Sequence, residues 1–182
     1  ILDEAGRLDL PEDHRGVERV LIADHQLPLG LRCYRPKEIR QALASGDLTA
    51  ARCIDALING TLGALKRHPS AQIAHLFSIL PKLGLSQDQV SPEQLQRLAR
   101  GLRRGRALVE ISERWRCPGP RVMEALRAGG VSLCLSTDAH RKEHIGNYRW
   151  ALDAAERCSW RWRDGHIPHD QLHRPAIAGR LA

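Results

Sequence analysis

Val131-Ser132-Leu133-Cys134-Leu135-Ser136-Thr137-Asp138-Ala139-His140-Arg141 is the stretch whose reading decides the fold. Its first half is β-leaning and mostly apolar until the polarity flips, which predicts a buried strand with Asp138 and His140 just past its C-terminal end. Side chains two residues apart point the same way on extended backbone. A carboxylate and an imidazole at that spacing can therefore reach one ion or two neighbouring ions. The other reading is an ordinary strand-end turn, with Asp138 capping the local backbone and His140 solvated. Asp-x-His is too short a pattern to separate the two, so the rest of the chain must do it.

Working outward, three more segments end in residues of the same chemical type. Val17 to Ala23 reads as a strand terminating in Asp24-His25, Ala71 to Leu76 as a short strand ending near His75, and Leu108 to Ser112 as a strand carrying Glu110. Helical patterns lie between them. Pro36 opens one helix running to Ser45-Gly46, and Asp47 or Thr49 caps a second over Leu48 to about Arg67. Ser91 caps a third reaching Gly105, and Pro120 opens a fourth closed by Gly129-Gly130. A last helix spans Tyr148 to about Cys158. Ile1 to Pro11 is expected to be a hairpin or a turn running into a short strand at Leu8 to Leu10, and Phe77 to Leu85, with Pro81 and Gly84, a loop. Trp160 to Arg163 is an edge-strand candidate, and the remainder to Ala182 reads as an irregular tail. Strand and helix in alternation predict an α/β fold with a mainly parallel sheet.

Composition narrows the classes. At 182 residues the chain is expected to form one domain, and neither a signal peptide nor a membrane span is legible in it. Five cysteines without a Cys-x-x-Cys pair fit neither a disulfide framework nor a structural zinc site, so reduced thiols in a cytoplasmic protein are expected. With 28 Lys and Arg against 21 Asp and Glu, the net charge of +7 favours acidic partners such as phosphate esters or nucleic acid. One Phe and two Tyr leave few platforms for stacking on single strands. Arg97, Arg100, Arg103, Arg104 and Arg106 read either as a track for a nucleic-acid backbone or as a solvated helix face. His166, His169 and His173 are too loosely spaced to define a metal site.

Ligands of α/β sheets gather outside the C-terminal ends of strands, which is where His25, His75, Asp138 and His140 all fall. Mixed imidazole and carboxylate sets suit zinc, manganese or iron. Leu135 to Arg141, with Ile145-Gly146 behind, is similar to the final motif of the PHP (polymerase and histidinol phosphatase) superfamily, a strand running into Asp-x-His. Arg19 to His25 resembles that family's strand ending in His, Ile73-Ala74-His75-Leu76 its strand with His, where the family usually has Pro at the position of Leu76, and Leu108 to Ser112 its strand with Glu. The resemblance covers residues 1–159, with 160–182 as a tail.

The resemblance implies a partial distorted (β/α)7 barrel of PHP type with its N-terminal strands missing, because the family's His-x-His strand has no counterpart here. It implies His25, His75, Asp138 and His140 as metal ligands and Glu110 in support of the site. It also implies more than one divalent ion (Zn, Mn or Fe) and a small phosphorylated substrate, hydrolysed by metal-activated water in a histidinol-phosphatase-like reaction of the parent protein, with this stretch alone weakly active. Beside the resemblance, Arg141 directly after the ligand pair reads either as a bidentate phosphate clamp or as a surface arginine, and His144 as a surface loop histidine or an outer group of the site. A PHP-type exonuclease on RNA or DNA is the second reading, and a non-catalytic remnant that binds a partner the third.

Overall fold

The computed structural model describes residues 1–11, 13 and 15–159. The candidate edge strand at Trp160 to Arg163 and the tail lie outside the described residues. The described part is mixed α/β. Strands β1 (Leu21–Ile22), β4 (Gln72–Ile73), β5 (Leu108–Ser112) and β6 (Ser132–Ser136) form a parallel sheet in the order β1-β4-β5-β6. That order steps in one direction, without the reversal of a doubly wound sheet. A separate antiparallel hairpin pairs β2 (Leu27–Leu29) with β3 (Arg32–Tyr34).

Among the described residues six α-helices accompany the sheet: α1 (Pro36–Ser45), α2 (Ala50–Arg67), α3 (Leu80–Leu83), α4 (Pro92–Arg104), α5 (Pro120–Ala128) and α6 (Arg149–Arg157). Their boundaries follow local chemistry. Thr49 Oγ1 accepts from Arg52 N at 3.2 Å to start α2, and Ser91 and Gln94 cap each other reciprocally at α4. Helix α2 packs on α4, and α4 on α5, with Gly101 and Gly105 of the α4 segment letting Leu62 and Leu65 approach closely. The core joins Ile22, Ile73, Val109, Ile111 and Leu133 of the sheet to Ile54, Leu57, Leu98, Leu102 and Leu126 of the helices. Burying each such side chain contributes about 1.5–3 kcal/mol. No helix among the described residues is long and apolar enough to cross a membrane.

Four sequence expectations need correction. Leu8 to Leu10 is not a strand, because the chain before it is drawn into a turn: Asp3 Oδ1 accepts from Arg7 N at 3.0 Å, and Gly6 (φ +79°) rests on α2 where a Cβ would lie 2.0 Å from Ala64 N. The strand expected over Val17 to Ala23 shrinks to Leu21–Ile22, and that expected over Ala71 to Leu76 shrinks to Gln72–Ile73. Ser70 (φ +63°) and His75 (φ +32°) turn the backbone out of extended geometry on either side of β4, which limits its pairing with β1. Phe77 to Leu85 holds α3, in which Pro81 occupies the first turn and Gly84 (φ +77°) caps the end. The β2–β3 hairpin is an element the sequence reading lacks.

That hairpin is tied to the N-terminal turn by Glu4, whose Oε2 accepts from Gly30 N at 2.9 Å and pairs with Arg52 Nη2 at 2.6 Å. Burial pushes the Glu4 carboxyl up, but Arg52, Gly30 and Asn59 outweigh it and hold it at about 2. A carboxyl depressed in the fold contributes stability above its unfolded value that disappears as pH falls through the folded one. Glu4→Gln should therefore cost about 1–2 kcal/mol at pH 7, after allowance for solvent screening around the half-exposed Arg52. The difference from the wild type should vanish between about pH 4.5 and 2 in urea titrations, the window that the Glu4 values define.

Candidate functional site

Strand register brings the predicted residues to one end of the sheet. Leu21 pairs with Gln72 and Ile22 with Ile73, so Asp24 and His25 leave β1 beside the residues that leave β4, and the His25 and His75 rings stand 5.4 Å apart, centroid to centroid. Because β5 pairs with β4 at Ile73 and Val109, Glu110 lies next along the ladder. Its Oε2 accepts from His75 N at 3.3 Å and its Oε1 from Gln72 Nε2 at 2.7 Å. Strand β6 pairs with β5 up to Ser136 opposite Ser112, which sets Asp138 two residues beyond the same edge.

His75 is buried, and its Nδ1 is 2.8 Å from Ser78 Oγ, a contact that orients the ring and leaves Nε2 as its other nitrogen. Burial lowers its pKa, with His25 and Lys82 adding to the effect and Asp138 opposing it. The imidazole is thus neutral near pH 7, the form that ligates metal. Glu110 is pushed up by burial and by Asp138, against the hydrogen bonds from Gln72, His75 N and Ser136.

Asp138 has φ +45°, a left-handed conformation that Asp tolerates. Its Oδ2 accepts a hydrogen bond from the Trp115 indole Nε1. His140 turns back on the same residue, its Nδ1 2.9 Å from the Asp138 carbonyl oxygen and 3.8 Å from Oδ1, with its side chain 59% exposed. The predicted residues therefore share one edge of the sheet but divide into two groups: the facing pair His25 and His75, and the Asp138–His140 arm tied to Trp115. Among the described residues no three His, Cys, Asp or Glu side chains are arranged to hold a metal ion. The donor types suit a divalent cation, whereas the side-chain arrangement does not close a coordination sphere. Arg141 and His144 are exposed, on either side of and within the short 3-10 turn Lys142–His144. Of the arginine run, Arg97 is engaged with Asp55 at 2.5 Å and with Asn59.

Four neighbours escaped the sequence reading. Asp24 is buried, and burial pushes its carboxyl up to about 7. Its signal was alternation, since Asp24 falls on the same side as buried Ile22 while His25 falls on the other. Cys117 is buried, and burial together with Asp24, Glu110 and Asp138 raises its thiol pKa, keeping it protonated and unreactive. Trp115 reaches Asp138 because its loop folds back, with Ser112 N donating to Cys117 O at 2.7 Å. Lys82 lies over the Trp115 ring, Nζ 4.3 Å from its centroid. No local sequence pattern marks the last two. No family model, curated protein or solved structure matches the chain.

Proposed function

We propose that the protein is a metal-dependent phosphoesterase of PHP type, acting on small phosphate monoesters, with His25, His75, Asp138 and His140 as ligands to divalent zinc, manganese or iron. The single observation that carries this reading is the His25–His75 ring pair at the end of a parallel sheet where Asp138 also emerges, with Glu110 buried against the His75 backbone. A bound divalent ion there would lower the pKa of a water to near neutrality and supply the nucleophile. The chain's own residues hold the scaffold of that chemistry. Ser78 orients the His75 ring, Glu110 fixes the His75 backbone, and Trp115 fixes the Asp138 carboxylate.

The barrel reading rests on the one-directional strand order, which is the order of a barrel wall. The 182 residues contain no His-x-His pair, so the proposed ligand set is confined to His25, His75, Asp138 and His140. Arg141, directly after His140, is the proposed clamp on the substrate phosphate.

The test is turnover of p-nitrophenyl phosphate by the purified protein after chelation and after readdition of manganese, zinc or iron. The expected result is hydrolysis that stops on chelation and returns with one of the three metals. Turnover that survives exhaustive chelation would remove metal-activated water from the mechanism.

A further inference from the structure

Trp115 is the joint of the site. Its Nε1 donates to Asp138, its ring centroid is 6.0 Å from that of His75, and Lys82 Nζ lies 4.3 Å from the ring centroid. Arg114 Cζ lies 5.6 Å from the same centroid. The backbone that carries Lys82 is held firmly. Leu80 and Leu83 of α3 are buried, Gly84 donates to the carbonyls of Leu80 and Pro81, and Arg40 Nη1 donates to the Lys82 carbonyl oxygen at 2.6 Å. Only the side chain is left to project, and it projects over the indole.

Among the described residues the ion pairs do not include Lys82, although its charge acts on both Asp24 and His75. A lysine held against an aromatic face keeps three N–H donors for another partner. The ring contact holds the charge in place without neutralising it. The same indole links the charge to both halves of the site, since its centroid is 6.0 Å from that of His75 and its Nε1 donates to Asp138. Arg141 is exposed at the start of the Lys142–His144 turn, with no aromatic contact among the described residues to fix its direction.

We infer that Lys82, positioned over Trp115, is a phosphate-binding residue of this site beside the proposed Arg141 clamp and favours the dianionic head group of a monoester over the single charge of a diester. The inference rests on the phosphoesterase reading for its substrate but not for its measurement. A compact ammonium directed by a ring suits a terminal phosphate with several free oxygens, each able to accept one of its protons.

The experiment titrates inorganic phosphate into the wild type, Lys82→Ala and Lys82→Arg by calorimetry, with metal content recorded for each and p-nitrophenyl phosphate kinetics run alongside. Lys82→Ala should weaken phosphate binding about 10–100-fold, the worth of one charge-assisted contact, and raise KM by a similar factor while kcat changes less than about threefold. Lys82→Arg should recover most of the affinity, and metal content should be the same in all three. Unchanged phosphate affinity in Lys82→Ala, or a wild type that binds no phosphate, would overturn the inference. Lys82-dependent phosphate binding without metal-dependent turnover would uphold it and sink the phosphoesterase reading instead. Turnover indifferent to Lys82 would do the reverse.

Discussion

On the proposed phosphoesterase reading, His75→Asn should strip the protein of divalent metal and cut phosphomonoesterase kcat/KM by at least about 100-fold. Loss of an outer-shell partner alone commonly costs 10–100-fold in metal affinity or activity, and loss of a ligand costs at least that much. Asparagine is the informative replacement because it tolerates the left-handed backbone of His75 (φ +32°), which alanine does not. It also removes the ring nitrogen that would face His25. Metal stoichiometry by plasma mass spectrometry and steady-state kinetics check the result, with thermal unfolding as the control for the lost Ser78 contact. Full metal content and full activity in a folded His75→Asn protein would show that His75 is a satisfied structural histidine.

The second large effect separates the two roles of Asp138. Its carboxylate accepts from Trp115 and its backbone is left-handed, so the proposed ligating role would share one residue with a structural one. Asp138→Asn preserves an oxygen acceptor for the indole and tolerates φ +45°, while it removes the charge and turns the second oxygen into an amide donor. Thermal stability should move by less than about 1 kcal/mol, while metal affinity and turnover fall about 100-fold. Asp138→Ala should lose activity and also about 2–4 kcal/mol of stability, from an unpaired indole N–H and a strained backbone together. Equal activity in wild type and Asp138→Asn would leave Asp138 a turn residue that anchors Trp115.

Legibility in the sequence followed the reach of each physical signal. Strands β5 and β6 were readable because Leu108–Ser112 and Ser132–Ser136 are compact apolar runs bounded by polar turns. Helices α1, α2, α4 and α5 were readable from Pro36, Thr49, Ser91 and Pro120 at their starts. The β2–β3 hairpin was hidden by Pro28, which cannot donate to a ladder and argues against a strand until the edge position is known. Helix α3 was hidden because Pro81 and Gly84, the usual marks of a loop, here punctuate a single short turn of helix.

The candidate site divides along the same line. His25, His75 and Asp138 could be placed at one sheet edge because each follows a strand, and parallel strands present their C-terminal ends together. Trp115 and Lys82 could not, since their approach depends on the fold-back of the Ser112–Cys117 loop and on the bracing of α3 by Arg40. The division between the His25–His75 pair and the Asp138–His140 arm was equally invisible, because spacing in the chain says nothing about which partner a side chain chooses.

Anomalous scattering from crystals grown with manganese tests the metal assignment most directly, since it locates the ion without any assumption about substrate. A peak within bonding distance, about 2.0–2.3 Å, of His75 Nε2 and of a His25 ring nitrogen, with Asp138 or His140 completing the set, is the result that the proposed chemistry requires. Manganese bound only elsewhere on the protein, or absent at millimolar concentration from a crystal in which His25 and His75 still face each other, would contradict it.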